Sequence, residues 1–115
     1  MKKLAMILFA AASLSAFAAD TTVKGYLVDL ACAKEDGSKS DFGIKHTTDC
    51  LKMPECVQTG YGVLTDDKKV IAFDAAGNEQ AKKFIASLTK SNDIKVAVTG
   101  TRKGDSMTVN KIELQ

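Results

Sequence analysis

Along TVKGYLVDL, residues 22–30, side chains alternate in character: Lys24, Tyr26, Val28 and Leu30 fall on one parity and Val23, Gly25, Leu27 and Asp29 on the other. A period of two predicts a β-strand, here apolar on most of both faces near its middle, and the strand-like text runs on through Ala33. Residues 34–48 (KEDGSKSDFGIKHTT) are polar, carry two glycines and sustain no period, which predicts a long loop. After Cys56, the runs GYGVLTDD and KKVIAFDAAG flank the turn-forming Asp66-Asp67-Lys68 and predict a hairpin. Ala81, Phe84, Ile85 and Leu88 then recur at helical spacing, with Asn78 as N-cap and Glu79 in the first turn. This predicts an amphipathic helix from about Glu79 to Lys90, with Phe84, Ile85 and Leu88 against the core and Lys82, Lys83 and Lys90 in solvent. Strand alternation resumes at Ile94, Val96 and Val98, opposed by Lys95, Ala97 and Thr99. Past the turn at Lys103-Gly104-Asp105, Met107 and Val109 share one parity and Ile112 and Leu114 the other, so a bulge is expected near Asn110-Lys111.

The resulting order is β, long loop, β, β, α, β, β, with no internal repeat. It predicts an OB-like five-stranded barrel, mainly β with one helix; the alternative is an open α+β sheet with the helix on one face. Gly25, Gly62 and Gly100, all inside strand patterns, suit the tight bends of a small closed sheet.

The first residues change the picture of where the protein works. Lys2 and Lys3 precede an apolar run from Leu4 to Ala12, and small residues including Ala16-Phe-Ala18 follow. This is the pattern of a secretory signal peptide over residues 1–18, leaving one domain over 19–115. The apolar run is interrupted by Ser13 and Ser15 and falls short of the roughly 20 residues of a membrane span, so no membrane anchor is expected after cleavage. The expected location is the periplasm or the exterior. Without Lys2 and Lys3 the 16 basic residues become 14, equal to the 14 acidic ones. A neutral mature domain excludes a binder of nucleic acid held by charge.

Candidate chemistry is concentrated in one connection. Its spacing is Cys32-x13-His46-x3-Cys50-x5-Cys56, and the rest of the chain has no Cys or His. It matches no compact zinc-finger pattern, no C-x-x-C redox pair and no haem-attachment motif. Three readings stand side by side. A structural disulfide would pin the loop; a bond from Cys32 to Cys56 would enclose all of it, for about 3 to 3.5 kcal/mol by chain entropy, with one cysteine left over. Alternatively, Cys32, His46, Cys50 and Cys56 form a complete tetrahedral donor set for zinc, with His46 and Cys50 one helical turn apart and Pro54 limiting that turn. Met53 would add a thioether that suits copper. A thiol oxidoreductase is the third, disfavoured because Cys50 and Cys56 are too far apart for a helix-start dithiol. No nucleophile elbow, paired carboxylates beyond the turn at Asp66-Asp67, or phosphate-binding glycine loop is present.

The stretches GYLVDLACA, TGYGVLTDD, AFDAAGN and VAVTGTRKGDSMTV, with the Cys- and His-bearing loop between the first two, resemble small exported bacterial OB-like proteins of unknown function. The resemblance spans essentially the whole mature chain. It implies that Cys32, His46, Cys50, Cys56, Gly60, Tyr61 and Gly62 are the positions of interest, with Tyr61 either a barrel-wall aromatic or a stacking residue beside the loop. The expectation is a non-catalytic exported binding domain whose first connection is clamped through Cys and His. Its partner would be a small ligand, a zinc or copper ion, or a protein. A periplasmic thiol-redox or metal-handling protein is the alternative.

Overall fold

Strand β1 (Thr21–Asp29) is paired along both edges. In the computed structural model, which describes residues 20–115, its first part runs antiparallel to β4 (Lys95–Lys103) and its last part antiparallel to β2 (Tyr61–Leu64). The leader expected over residues 1–18 lies outside the described residues. Strand β2 pairs with β3 (Val70–Phe73) as the predicted hairpin, and β4 with β5 (Ser106–Leu114) as the second one. A parallel contact between Phe73 and Met107 joins β3 to β5, so the five strands close as a ring in the order β1-β2-β3-β5-β4. Such closure demands close backbone approach. A Cβ on Gly25 would collide with the Leu64 carbonyl, and one on Gly100 with that of Thr108. The bulge falls where parity changes: Thr99 faces Lys111 and Gly100 faces Val109, leaving Asn110 without an opposite residue.

Strand alternation divides the buried side chains into two groups. Val23, Leu27, Tyr61, Val63, Ile71, Phe73, Val96, Val98, Met107 and Val109 share one parity pattern and pack with Leu51, Ile94, Ala81 and Ile85 as the main core. The opposite parity of β1, β2 and β3 gives Val28, Leu64 and Val70, which pack with Ala33, Phe42 and Tyr26 as a second, smaller cluster. The strongly apolar middle of β1 follows from this: both of its faces are covered.

The second cover is where the structure departs from the sequence reading. Residues 34–48 do not form an open loop. The connection between β1 and β2 contains α1 (Leu30–Asp36), α2 (Phe42–Lys45), α3 (Thr48–Leu51) and α4 (Pro54–Thr59). Each is one or two turns long, too short for a helical period to show in the side-chain pattern. Two are started by side chains: Asp29 accepts from the Cys32 amide at 2.8 Å, and Thr47 from the Cys50 amide at 3.1 Å. The first strand therefore stops at Asp29 and does not continue through Ala33, because the Asp29 carboxylate turns the chain into α1. Pro54 occupies the first position of α4, where its missing N–H costs nothing.

Helix α5 (Ala75–Ala86) also differs from its expected bounds. Asp74 caps it, accepting from the Gly77 amide at 2.8 Å. Asn78, expected as the cap, lies within the first turn, and its Oδ1 accepts the Tyr61 amide at 2.9 Å, fastening the start of β2. Ala81 and Ile85 are buried as expected, whereas Phe84 and Leu88 are half-buried against the core, Leu88 from beyond the helix end. No helix among the described residues is long and apolar enough to cross a membrane.

Candidate functional site

The end of β1 delivers the residue around which the cysteines gather. Asp29 has the same parity as Val23 and Leu27, and its side chain is fully buried. One carboxylate oxygen caps α1 at Cys32; the other lies 2.6 Å from His46 Nε2, which donates to it. Cys32 sits in the first turn of α1 and is half-buried, while Cys56, third residue of α4, is 4% exposed. The Leu30 amide donates to the Gly60 carbonyl at 3.0 Å, which ties the start of α1 to the end of α4. Gly60 itself has φ of 91°, a conformation that favours glycine, and the chain passes through it directly into Tyr61.

These links bring one Asp29 oxygen, Cys32 Sγ and Cys56 Sγ within 4.8 Å of one another. Of the four residues singled out from sequence, Cys32 and Cys56 are in this group, and His46 joins it through Asp29. Cys50 is not in the group. His46 ends α2 in extended conformation and Thr47 precedes α3, so His46 and Cys50 do not share a helical turn. They line instead a common outer cavity of about 280 Å3, together with Asp41, Phe42 and Lys45. The His46 ring, 4.8 Å from that of Phe42, forms the wall between this cavity and Asp29. All three cysteines are free thiols, with no disulfide bond between them. Met53 is 43% exposed.

The electrostatics follow from burial around one carboxylate. Desolvation, the largest influence on Asp29, would raise its pKa, but hydrogen bonding to His46, to the Cys32 amide and to Cys56 outweighs it and brings the carboxyl down to about 2. Burial, then the neighbouring Asp29 charge, pushes the Cys32 thiol up to about 11. Burial and hydrogen bonding to Asp29 push Cys56 up to about 12. Tyr61 is a wall residue: it lies in the main core, its hydroxyl donates to the Leu51 carbonyl at 2.7 Å, and burial raises its pKa.

Asp29 is the residue the sequence reading missed. Its signal was an acidic side chain on the apolar parity of a strand, three residues before a cysteine. Compared with protein-family models, curated proteins and solved structures, the chain has no match in any of the three.

Proposed function

We propose that this chain is an exported, OB-like binding domain, not an enzyme, and that it holds a zinc ion at Asp29, Cys32 and Cys56, with His46 orienting the carboxylate. The carrying observation is the convergence of two sulfurs and a carboxylate oxygen within 4.8 Å. Tetrahedral ligands at about 2.0 to 2.3 Å from one ion lie roughly 3.3 to 3.8 Å apart, so small side-chain adjustments suffice. The donors mix thiolate with a hard oxygen, which suits zinc better than copper(I). His46 plays the part of the hydrogen-bonded partner that fixes a ligating carboxylate. Three protein donors leave a fourth position for water or for an incoming ligand. The ring order, with the site carried on the connection between β1 and β2, supports the OB-like reading, since that connection frames the ligand face in such folds. The leader pattern supports a periplasmic or secreted location.

The rival reading, a thiol oxidoreductase, is opposed by the thiols themselves. Fast thiol catalysis needs a lowered pKa, and Cys32 and Cys56 are raised to about 11 and about 12.

Competition between the reduced protein and a chromophoric zinc chelator tests the assignment. One equivalent of zinc is expected, with Asp29→Asn, Cys32→Ser and Cys56→Ser each weakening retention by more than about tenfold and His46→Gln by about 10- to 100-fold. Cys50→Ser should stay within about twofold of the unsubstituted protein, because Cys50 lies outside the group. Failure of the reduced protein to bind zinc, or equal damage from Cys50→Ser and Cys32→Ser, rejects this assignment.

A further inference from the structure

We propose that Cys32 and Cys56 close reversibly into a disulfide, and that this bond and the metal exclude each other, so that the site is loaded only when reduced. The second half rests on the zinc reading above; the first does not. Two observations carry it. The sulfurs already lie within 4.8 Å of each other, on helices whose ends are tied by the Leu30–Gly60 hydrogen bond, so the fold itself holds the two thiols side by side. The two thiols also differ in access: Cys32 is half-buried, Cys56 only 4% exposed. An external disulfide therefore meets Cys32 first.

The oxidant is a small disulfide of the glutathione class. Cys32 gives up its proton and, as the minor thiolate form, attacks it slowly, too slowly for a turnover catalyst but sufficient for equilibration, forming a mixed disulfide and releasing one thiol. Cys56 then attacks the Cys32 sulfur and expels the second thiol. Two protein S–H bonds are lost and one S–S bond forms. The two electrons and two protons leave on the two released thiols. Once joined, neither sulfur is available as a thiolate, and the site keeps only the Asp29 carboxylate, which is too little to hold zinc. Cys50, outside the group, is not the resolving partner.

The test equilibrates the Cys50→Ser protein with oxidised or reduced glutathione, maps disulfides by peptide mass spectrometry and measures zinc in each form. Cys50→Ala, and peptide mapping of the unsubstituted chain, serve if Cys50→Ser misfolds. The expected oxidised product is lighter by two hydrogen atoms, links Cys32 to Cys56 and retains less than about a tenth of the zinc bound by the reduced form; reductant restores binding. With Cys56→Ser the mixed disulfide should accumulate on Cys32, and with Cys32→Ser little should form on Cys56. Absence of a Cys32–Cys56 bond overturns the inference and leaves the zinc reading standing. Formation of the bond with zinc still held overturns the exclusion. A disulfide in a protein that binds no zinc even when reduced overturns the exclusion together with the zinc reading itself.

Discussion

His46 Nε2 lies 2.6 Å from Asp29 Oδ1, and both side chains are shut away from solvent. Asp29 ends β1 and His46 ends α2, so this hydrogen bond closes the first half of the helical connection onto the sheet. The same carboxylate starts α1. One side chain thus fixes the connection at two points, and the site depends on it before any ligand arrives.

Replacing Asp29 should accordingly cost stability in the metal-free protein. Asp29→Ala removes a helix cap, worth about 1 kcal/mol, and leaves the buried His46 N–H without its acceptor, for a further 1 to 3 kcal/mol or so. Asp29→Asn keeps an acceptor and should cost less. Urea denaturation of both variants after chelator treatment checks the order; equal, negligible losses would show that Asp29 does not organise the connection.

The acid limb of stability carries the same signature. The folded Asp29 carboxyl titrates near about 2, against an ordinary value of 3.8. Between these values the unfolded chain binds more protons, so the contribution is complete above about pH 4 and is lost as pH falls toward 2. The stability gap between the unsubstituted protein and Asp29→Asn, both metal-free, should therefore narrow over that window. A gap independent of pH would contradict the carboxylate's role.

Helix α5, which packs mainly against β5, should show a graded response. Ile85 is 2% exposed, and Ile85→Ala should destabilise by about 2 to 4 kcal/mol. Phe84 is only half-buried, so Phe84→Ala should cost less, about 1 to 2 kcal/mol, instead of the full price of a core aromatic. Thermal or urea unfolding that ranks the two in reverse would mean that the helix presents a different face.

Ring closure has its own probe at Gly25. An added methyl group there runs into the Leu64 backbone carbonyl, which cannot rotate away as a side chain could. Gly25→Ala should cost about 2 to 3 kcal/mol by forcing β1 away from β2. Wild-type stability in this variant would show that the two strands do not approach as closely as the register requires.

The sequence by itself determined what local patterning encodes. The two hairpins, the strand parities of Val96 and Val98, the parity break that places the bulge at Asn110, and the buried pair Ala81 and Ile85 all follow from periods of two or 3.6 read within one element. Cap positions were less legible: Asp74 and Asn78 are both good caps, and the Tyr61 amide claims Asn78, a choice made by a strand 17 positions away in the chain. The four short helices escaped because each is too short for a helical period to show: α1 and α3 are started by the Asp29 and Thr47 side chains, α1 and α2 pack Ala33 and Phe42 in the outer cluster, and α3 and α4 send Leu51 and Val57 to the main core. The site was half legible. The sequence placed Cys32, His46, Cys50 and Cys56 in one connection, but proximity along the chain does not decide proximity in space. Only the tertiary structure joined Cys32 to Cys56 and separated Cys50 from them, and only it turned Asp29 into their common neighbour. The physical reason is burial: a carboxylate on the covered end of β1 must be hydrogen-bonded from every side, and the α1 amide, His46 and Cys56 are the groups the fold brings to meet that need.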